Sequence, residues 1–133
     1  MQPRKQPSWA LVLIGPAIVA VLFVSIFMIK PFPAKDLSGE EIAIVFGVIW
    51  TTIPFLVLKV ARVHSILSWS VAFLLMSGFY AFAVYDAAIR ANGESGPNIG
   101  LGLIFLILPF MVTGICLAIN QFVVNREIRD RDL

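Results

Sequence analysis

The sequence contains very few of the residues that carry out chemistry in proteins. Its 133 residues include one cysteine, Cys116, and one histidine, His64. A disulfide within the chain, a cysteine metal cluster and a histidine pair are therefore excluded. No nucleophile stands beside a base, no paired carboxylates lie within an apolar run, and no glycine loop has phosphate-binding spacing. The sequence therefore predicts a protein that is not an enzyme and has no metal or cofactor.

Charge is scarce as well. Charged residues make up 14% of the chain, hydrophobic residues 59%, and the formal net charge is +2, whereas average soluble domains are about 25% charged and about 45–50% apolar. The mean hydropathy is +0.93. Basic residues form no long run, so nucleic acid is not an expected partner. This composition predicts an integral membrane protein whose first partner is the lipid bilayer.

Four apolar runs of helical length are present, and none alternates with a period of two. A bilayer core of about 30 Å needs about 20 helical residues. We therefore predict an all-α fold, with four transmembrane helices in one bundle and a single domain over 1–133. The predicted spans are 9–29, 42–58, 66–85 and 98–124, with short tails at 1–8 and 125–133. The first run is too long for the apolar part of a signal peptide, so we interpret it as a retained span.

Basic residues predict the orientation of these spans. With four spans, the two tails and the middle loop share one side, which carries seven lysines and arginines against three on the other. The positive-inside rule then places both termini in the cytoplasm. Trp9 and Trp69 begin the first and third runs, where aromatic belts lie. We expect a multi-pass protein of a bacterial inner (plasma) membrane.

The second and fourth runs resemble each other. Gly47, Pro54 and Val57 of one run recur with the same spacing as Gly102, Pro109 and Val112 of the other. This pattern predicts two tandem parallel helical hairpins, related by a rotation about the membrane normal. The matching glycines are then expected to face neighbouring helices. The alternative is that both halves share only generic membrane-helix composition.

Three of the predicted helices contain an internal proline: Pro16, Pro54 and Pro109. Each proline lacks an amide hydrogen and leaves the carbonyl four residues earlier without its helical donor. In lipid that carbonyl needs another partner, and Thr51 and Thr52 lie beside Pro54. We favour static kinks that improve packing over hinges or broken helices.

Small residues also recur at helical spacing. Ala43, Gly47 and Thr51 follow one face of the second run, and Gly114 and Ala118 form a similar pair in the fourth. Such residues allow helix backbones to approach closely in lipid. These five positions are therefore candidates for packing within the bundle or against a partner helix.

The charged residues nearest a span are Asp86 and Arg90, at i,i+4 spacing. Asp86 lies 20 residues after Ile66, so we expect an ion pair at the membrane interface. A chain with no charge in the middle of a span most often works through packing. The sequence therefore favours an accessory, assembly or scaffold subunit of a membrane complex, partnered by other membrane subunits or by itself. The alternative is an oligomeric transporter of small solutes or ions, or a holin-like pore.

Overall fold

A computed structural model describes residues 9–29, 37–91 and 99–133. These residues form four α-helices. They are α1 (Trp9–Ile29), α2 (Leu37–Val60), α3 (Ile66–Ala91) and α4 (Ile99–Arg131). No strand occurs within these described ranges. The all-α prediction is confirmed, whereas the tail at 1–8 and the position Asn98 lie outside the described residues.

Three helices are longer than the apolar runs that predicted them. α2 begins at Leu37, α3 continues to Ala91 and α4 reaches Arg131. The predicted spans stop at charged residues because charge ends an apolar run. A charged residue does not end a helix, however, since its side chain can reach water from the outer turns. At about 1.5 Å per residue, the 33 residues of α4 extend well beyond a bilayer core of about 30 Å.

Two helices are long and apolar enough to cross a membrane. These candidate spans are Ile66–Arg90 and Gly100–Arg131. In the most apolar window of each span, 28% is buried inside the protein for the first and 17% for the second. The apolar stretches described in the other two helices are shorter, Leu13–Ile26 and Ile44–Val60. The core helix of a soluble protein is mostly buried, whereas α3 and α4 direct most of their apolar surface outwards.

The two hairpins lie side by side. α1 packs against α2 and α3, and α4 packs against the same two helices. A half-turn about an axis parallel to the helices would instead place α1 diagonally opposite α3, and α2 opposite α4. The second hairpin is therefore displaced sideways from the first, and this arrangement corrects the expected rotation about the membrane normal.

α3 contributes the largest share of the core. Its buried hydrophobic side chains recur every three or four residues, as expected for one face of a helix. They are Trp69, Ala72, Met76, Tyr80, Ala83 and Ala87. The outer surface is apolar as well, because every helix exposes large hydrophobic side chains. Examples are Ile14 on α1, Leu56 on α2, Leu74 on α3 and Ile107 on α4.

Candidate functional site

Three aromatic rings meet in the middle of the bundle. Phe23 of α1 stacks on Phe105 of α4, with ring centroids 5.6 Å apart. Tyr80 of α3 meets both rings edge to face, at 5.9 Å from Phe23 and 6.1 Å from Phe105. Phe23 and Tyr80 are buried. This aromatic cluster, defined as Phe23, Tyr80 and Phe105, joins α1, α3 and α4 through ring contacts.

The Tyr80 hydroxyl is an exception to the usual pairing of buried polar atoms. Its oxygen is buried and has no hydrogen-bond partner within the described part of the chain. The ring therefore holds its place through aromatic packing, against Phe23, Phe105 and also Phe79, whose centroid is 5.2 Å away. No site for a solute follows from this single atom.

Two glycines receive aromatic rings where α1 and α2 meet. Gly47 of α2 is buried, and a Cβ atom built on it would overlap the ring of Phe23. Gly15 of α1 faces Phe55 of α2, and a Cβ there would lie 2.9 Å from Phe55 Cε1. Both contacts fit one antiparallel register of α1 against α2. In each contact, a phenylalanine of one helix packs on a glycine of the other. Small residues let helix backbones approach closely, and the resulting packing contributes to helix association in lipid.

The other predicted packing positions differ in environment. Thr51 is buried, and its Oγ1 donates to the Val48 carbonyl at 2.8 Å. Gly102 and Gly114 are exposed, and a Cβ on either would meet nothing within 4 Å. The expectation that Gly102 packs like Gly47 is therefore wrong, because no aromatic ring covers that position on α4. The side chain of Ala43 lies outside the described residues.

Gly114 and Ala118 form a shallow depression on the outer face of α4. Both are exposed, and they lie one turn apart in a row that continues to Phe110 on one side and Phe122 on the other. These two phenylalanines are 60% and 68% exposed. We call the depression between them the α4 notch. A Cβ built on Gly114 would meet nothing within 4 Å, so no part of the described chain covers that position.

The three prolines lie inside uninterrupted helices, so none of them breaks a helix in two. Pro54 and Pro109 are both fully buried. The carbonyl that Pro109 leaves without a donor belongs to Phe105, and it accepts the indole N–H of Trp50 at 3.1 Å. A side chain of α2 thus replaces the backbone hydrogen bond that α4 lacks. This cross-helix bond is what a proline-containing helix requires in lipid.

Trp50 is a residue that sequence reasoning missed. The expected helpers, Thr51 and Thr52, donate instead to carbonyls three residues earlier in their own helix, at 2.8 and 2.7 Å. The available signal was the alignment of the two repeats, in which Trp50 and Phe105 each precede a proline by four residues. An apolar helix has few N–H donors besides tryptophan, so Trp50 was the natural donor for the Phe105 carbonyl.

Asp86 and Arg90 meet as their spacing predicts. Arg90 Nε donates to Asp86 Oδ2 at 2.8 Å, and the two side chains are 32% and 21% exposed, with Arg90 the more accessible. The pair lies near the end of α3 that precedes α4. A partly exposed i,i+4 pair satisfies both charges locally and contributes little to stability.

The loop from α2 to α3 is held by hydrogen bonds in a fixed shape. The Val63 N–H donates to the Leu58 carbonyl at 3.0 Å and the Arg62 N–H donates to the Lys59 carbonyl at 3.1 Å, which is a Schellman motif. Arg62 has a φ of 52°, where glycine is the usual residue. The Trp69 indole N–H then donates to the Val63 carbonyl at 3.0 Å, which ties the loop to the start of α3.

A polar groove of about 360 Å³ opens between this loop and the last turns of α4. We call it the loop groove. The loop wall supplies Arg62, His64 and Ser65, and the α4 wall supplies Asn120 and Glu127, with two valines between them. Nothing in the sequence brought His64 together with α4. The fold does so because α4 continues past the loop.

No group of three histidine, cysteine, aspartate or glutamate side chains within the described ranges is arranged to hold a metal ion. Cys116 is buried in the core. No protein-family model, curated protein or solved structure matches this chain.

Proposed function

We propose that the chain is a multi-pass membrane protein in which all four helices cross the bilayer. At about 1.5 Å per residue, the 21 residues of α1 and the 24 of α2 reach across a hydrocarbon core of about 30 Å. Apolar side chains are exposed on all four helices, so lipid is a better environment than water on every side of the bundle. The excess of basic residues favours cytoplasmic termini in a bacterial inner membrane.

Within that membrane we propose a non-catalytic role, as an accessory, assembly or scaffold subunit of a larger complex. The α4 notch carries this proposal. The bundle fills its own small-residue sites, because Phe23 covers Gly47 and Phe55 covers Gly15. It leaves Gly114 and Ala118 open between two exposed phenylalanines. An open small-residue site on a lipid-facing helix suits the close approach of a helix from another subunit.

The aromatic cluster argues against transport through a single bundle. Conduction needs a polar or wettable path, whereas Phe23, Tyr80 and Phe105 meet face and edge where such a path would run. A transporter or holin-like pore would need a path between several copies of the chain. That alternative predicts a pure homo-oligomer, which the experiment on the α4 notch detects.

The membrane arrangement is tested by reporter fusions. A reporter fused after Leu133 should be active in the cytoplasm, and a reporter inserted at Glu94 should be active on the opposite side. Four spans with both termini inside require this result. A reporter that reads the C-terminus as external, or both positions as the same side, contradicts the topology.

The subunit role is tested by purifying the tagged protein in mild detergent and measuring the mass of the intact complex by native mass spectrometry. We expect a larger membrane protein in fixed stoichiometry with the wild type, and loss of that protein from Gly114→Leu. Gly78→Leu on α3 is the matched control, because Gly78 is also exposed with open space around it. Its neighbours one turn away, Leu74 and Phe82, are large and exposed, so the gap at Gly78 is one residue long, against two residues in the α4 notch. Purification as copies of this chain alone would support the pore alternative instead.

A further inference from the structure

The loop groove combines opposite charges on its two walls. Arg62 carries a positive charge on the loop wall, and Glu127 carries a negative charge on the α4 wall. A purely anionic ligand would gain attraction from one wall and meet repulsion at the other. A zwitterionic ligand, with a phosphate at one end and an amine at the other, matches both walls.

The loop wall is suited to the phosphate. Arg62 and His64 supply N–H donors, and the first turn of α3 begins directly after Ser65. The Ser65 hydroxyl oxygen accepts the Ser68 N–H at 3.4 Å, so its own proton can donate into the groove. Two Schellman hydrogen bonds and the Trp69 indole fix the backbone of the loop, so the points from which these side chains project are set before a ligand arrives. A fixed backbone reduces the entropy lost on binding.

The α4 wall is suited to a primary ammonium group. The Glu127 carboxylate has about four acceptor positions, so it can receive an ammonium in addition to a partner within the chain. Asn120 adds an amide oxygen to the same wall. The described lining contains no phenylalanine, tyrosine or tryptophan, and a quaternary ammonium such as choline is normally held by the faces of those rings. The wall therefore favours an amine that donates hydrogen bonds.

The volume and position of the loop groove agree with a phospholipid headgroup as the ligand. A groove of about 360 Å³ has the volume of roughly a dozen water molecules, which is ample for a phosphoethanolamine group. In the four-span arrangement, the end of the bundle where α2 joins α3 lies at the level of the lipid headgroups. We propose that the loop groove binds the phosphoethanolamine headgroup of a membrane phospholipid, with its phosphate at Arg62 and its ammonium at Glu127. This inference rests on the proposed membrane placement.

The experiment measures lipid retained by the purified protein. Wild-type protein and variants are reconstituted in bilayers with equal parts of phosphatidylethanolamine, phosphatidylglycerol and phosphatidylcholine, and co-purified lipid is counted by native mass spectrometry. We expect the wild type to retain phosphatidylethanolamine over phosphatidylcholine. Arg62→Gln should reduce that retention about tenfold, the effect of losing one charge-assisted hydrogen bond. Arg131→Gln, an exposed residue outside the groove, should retain it like the wild type.

Two further variants separate binding from folding. Arg62→Gly relieves the left-handed backbone at this position, so it should keep or raise the melting temperature while losing the lipid. Glu127→Gln leaves the groove positive and should shift retention from phosphatidylethanolamine towards phosphatidylglycerol. Equal retention by wild type and Arg62→Gly would overturn the proposal, as would an unchanged lipid preference in Glu127→Gln.

The source of the headgroup and the membrane placement have separate readouts. Soluble phosphoethanolamine is titrated onto detergent-purified protein; binding as tight as that of the lipid would overturn the assignment to a phospholipid. Alkaline extraction of membranes reports integration independently. A protein that resists extraction but shows no lipid preference refutes only the groove. A protein that is extracted refutes the proposed membrane placement itself.

Discussion

Helices α2 and α4 carry the same spacing of glycine, proline, phenylalanine and valine, yet they occupy different environments. Gly47 on α2 is buried beneath the ring of Phe23, whereas Gly102 on α4 is exposed with open space around it. The prolines behave alike, since both are buried inside continuous helices. The repeated sequence therefore gives two continuous helices with a buried proline, but the residues that pack against those helices differ.

A difference in sequence accounts for this, because the contact between Phe23 and Gly47 lies within the first hairpin. The corresponding hairpin partner of α4 is α3, and the alignment of Trp9 with Trp69 places Ala83 of α3 at the position of Phe23. Tyr80 of α3 meets Phe105, about one turn from Gly102, and a Cβ on Gly102 would meet nothing within 4 Å. Substitutions at matching positions of α2 and α4 therefore test whether these different neighbours affect stability.

The largest effect is expected from removing the ring that distinguishes the two helices. Phe23→Ala should lower the free energy of unfolding by about 3–5 kcal/mol, because it leaves a cavity among three helices. Unfolding of the purified protein by titration with a denaturing detergent measures the change. Phe82→Ala removes an exposed phenylalanine of α3 and should cost far less. Equal losses would show that the aromatic cluster does not hold the bundle.

The two aligned glycines give the next prediction. Gly47→Leu should destabilise the bundle by about 1–3 kcal/mol or more, since the new side chain overlaps a ring that is itself confined by two others. Gly102→Leu should change stability by less than about 0.5 kcal/mol, as expected for an exposed position. Thermal unfolding in one detergent compares them. If Gly102→Leu is as damaging as Gly47→Leu, the two glycines share an environment after all.

A smaller effect is expected at the hydrogen bond between the repeats. Trp50→Phe keeps an aromatic ring but removes the donor to the Phe105 carbonyl, at an expected cost of about 0.5–1.5 kcal/mol. In a Pro109→Ala background, the alanine amide can serve that carbonyl, so Trp50→Phe should cost less there. The double-mutant cycle isolates this coupling. Strictly additive losses would show that the indole bond is unrelated to the proline.

The smallest effect is expected outside the compared helices. Asp86→Asn removes a partly exposed ion pair with Arg90 and should cost about 0.5 kcal/mol or less. Expression and complex formation should stay near those of the wild type. If the Asp86→Asn variant folds normally but loses a measured solute flux, Asp86 has a role in solute movement and the transport alternative is favoured.

The features predicted correctly from the sequence are local ones. The four helices and the meeting of Asp86 with Arg90 depend on residues three or four positions apart, which one helix brings together whatever surrounds it. The overruns at Leu37 and Arg131 also have a local cause, because helix hydrogen bonds continue through charged residues. What the sequence did not predict depends on contacts between helices.

Three such contacts illustrate the limit. Which glycine receives Phe23 depends on how α1 and α2 pack within the first hairpin. Which carbonyl receives the Trp50 indole, and which helix faces the α2–α3 loop, depend on how the two hairpins are placed. Apolar periodicity is nearly uniform around a helix that faces lipid, so it does not select a neighbour. The left-handed Arg62 was also missed, since glycine is the residue that marks such a position.

The most direct test of the account is a photo-reactive amino acid placed at Ala118, in the α4 notch, and irradiated in native membranes. Ala17 on the exposed face of α1 is the matched position for comparison. We predict that position 118 forms a crosslink to one larger membrane protein in stoichiometric yield, and that position 17 forms none. A crosslink from position 118 only to another copy of this chain, or the same weak lipid adducts from both positions, would contradict the subunit role.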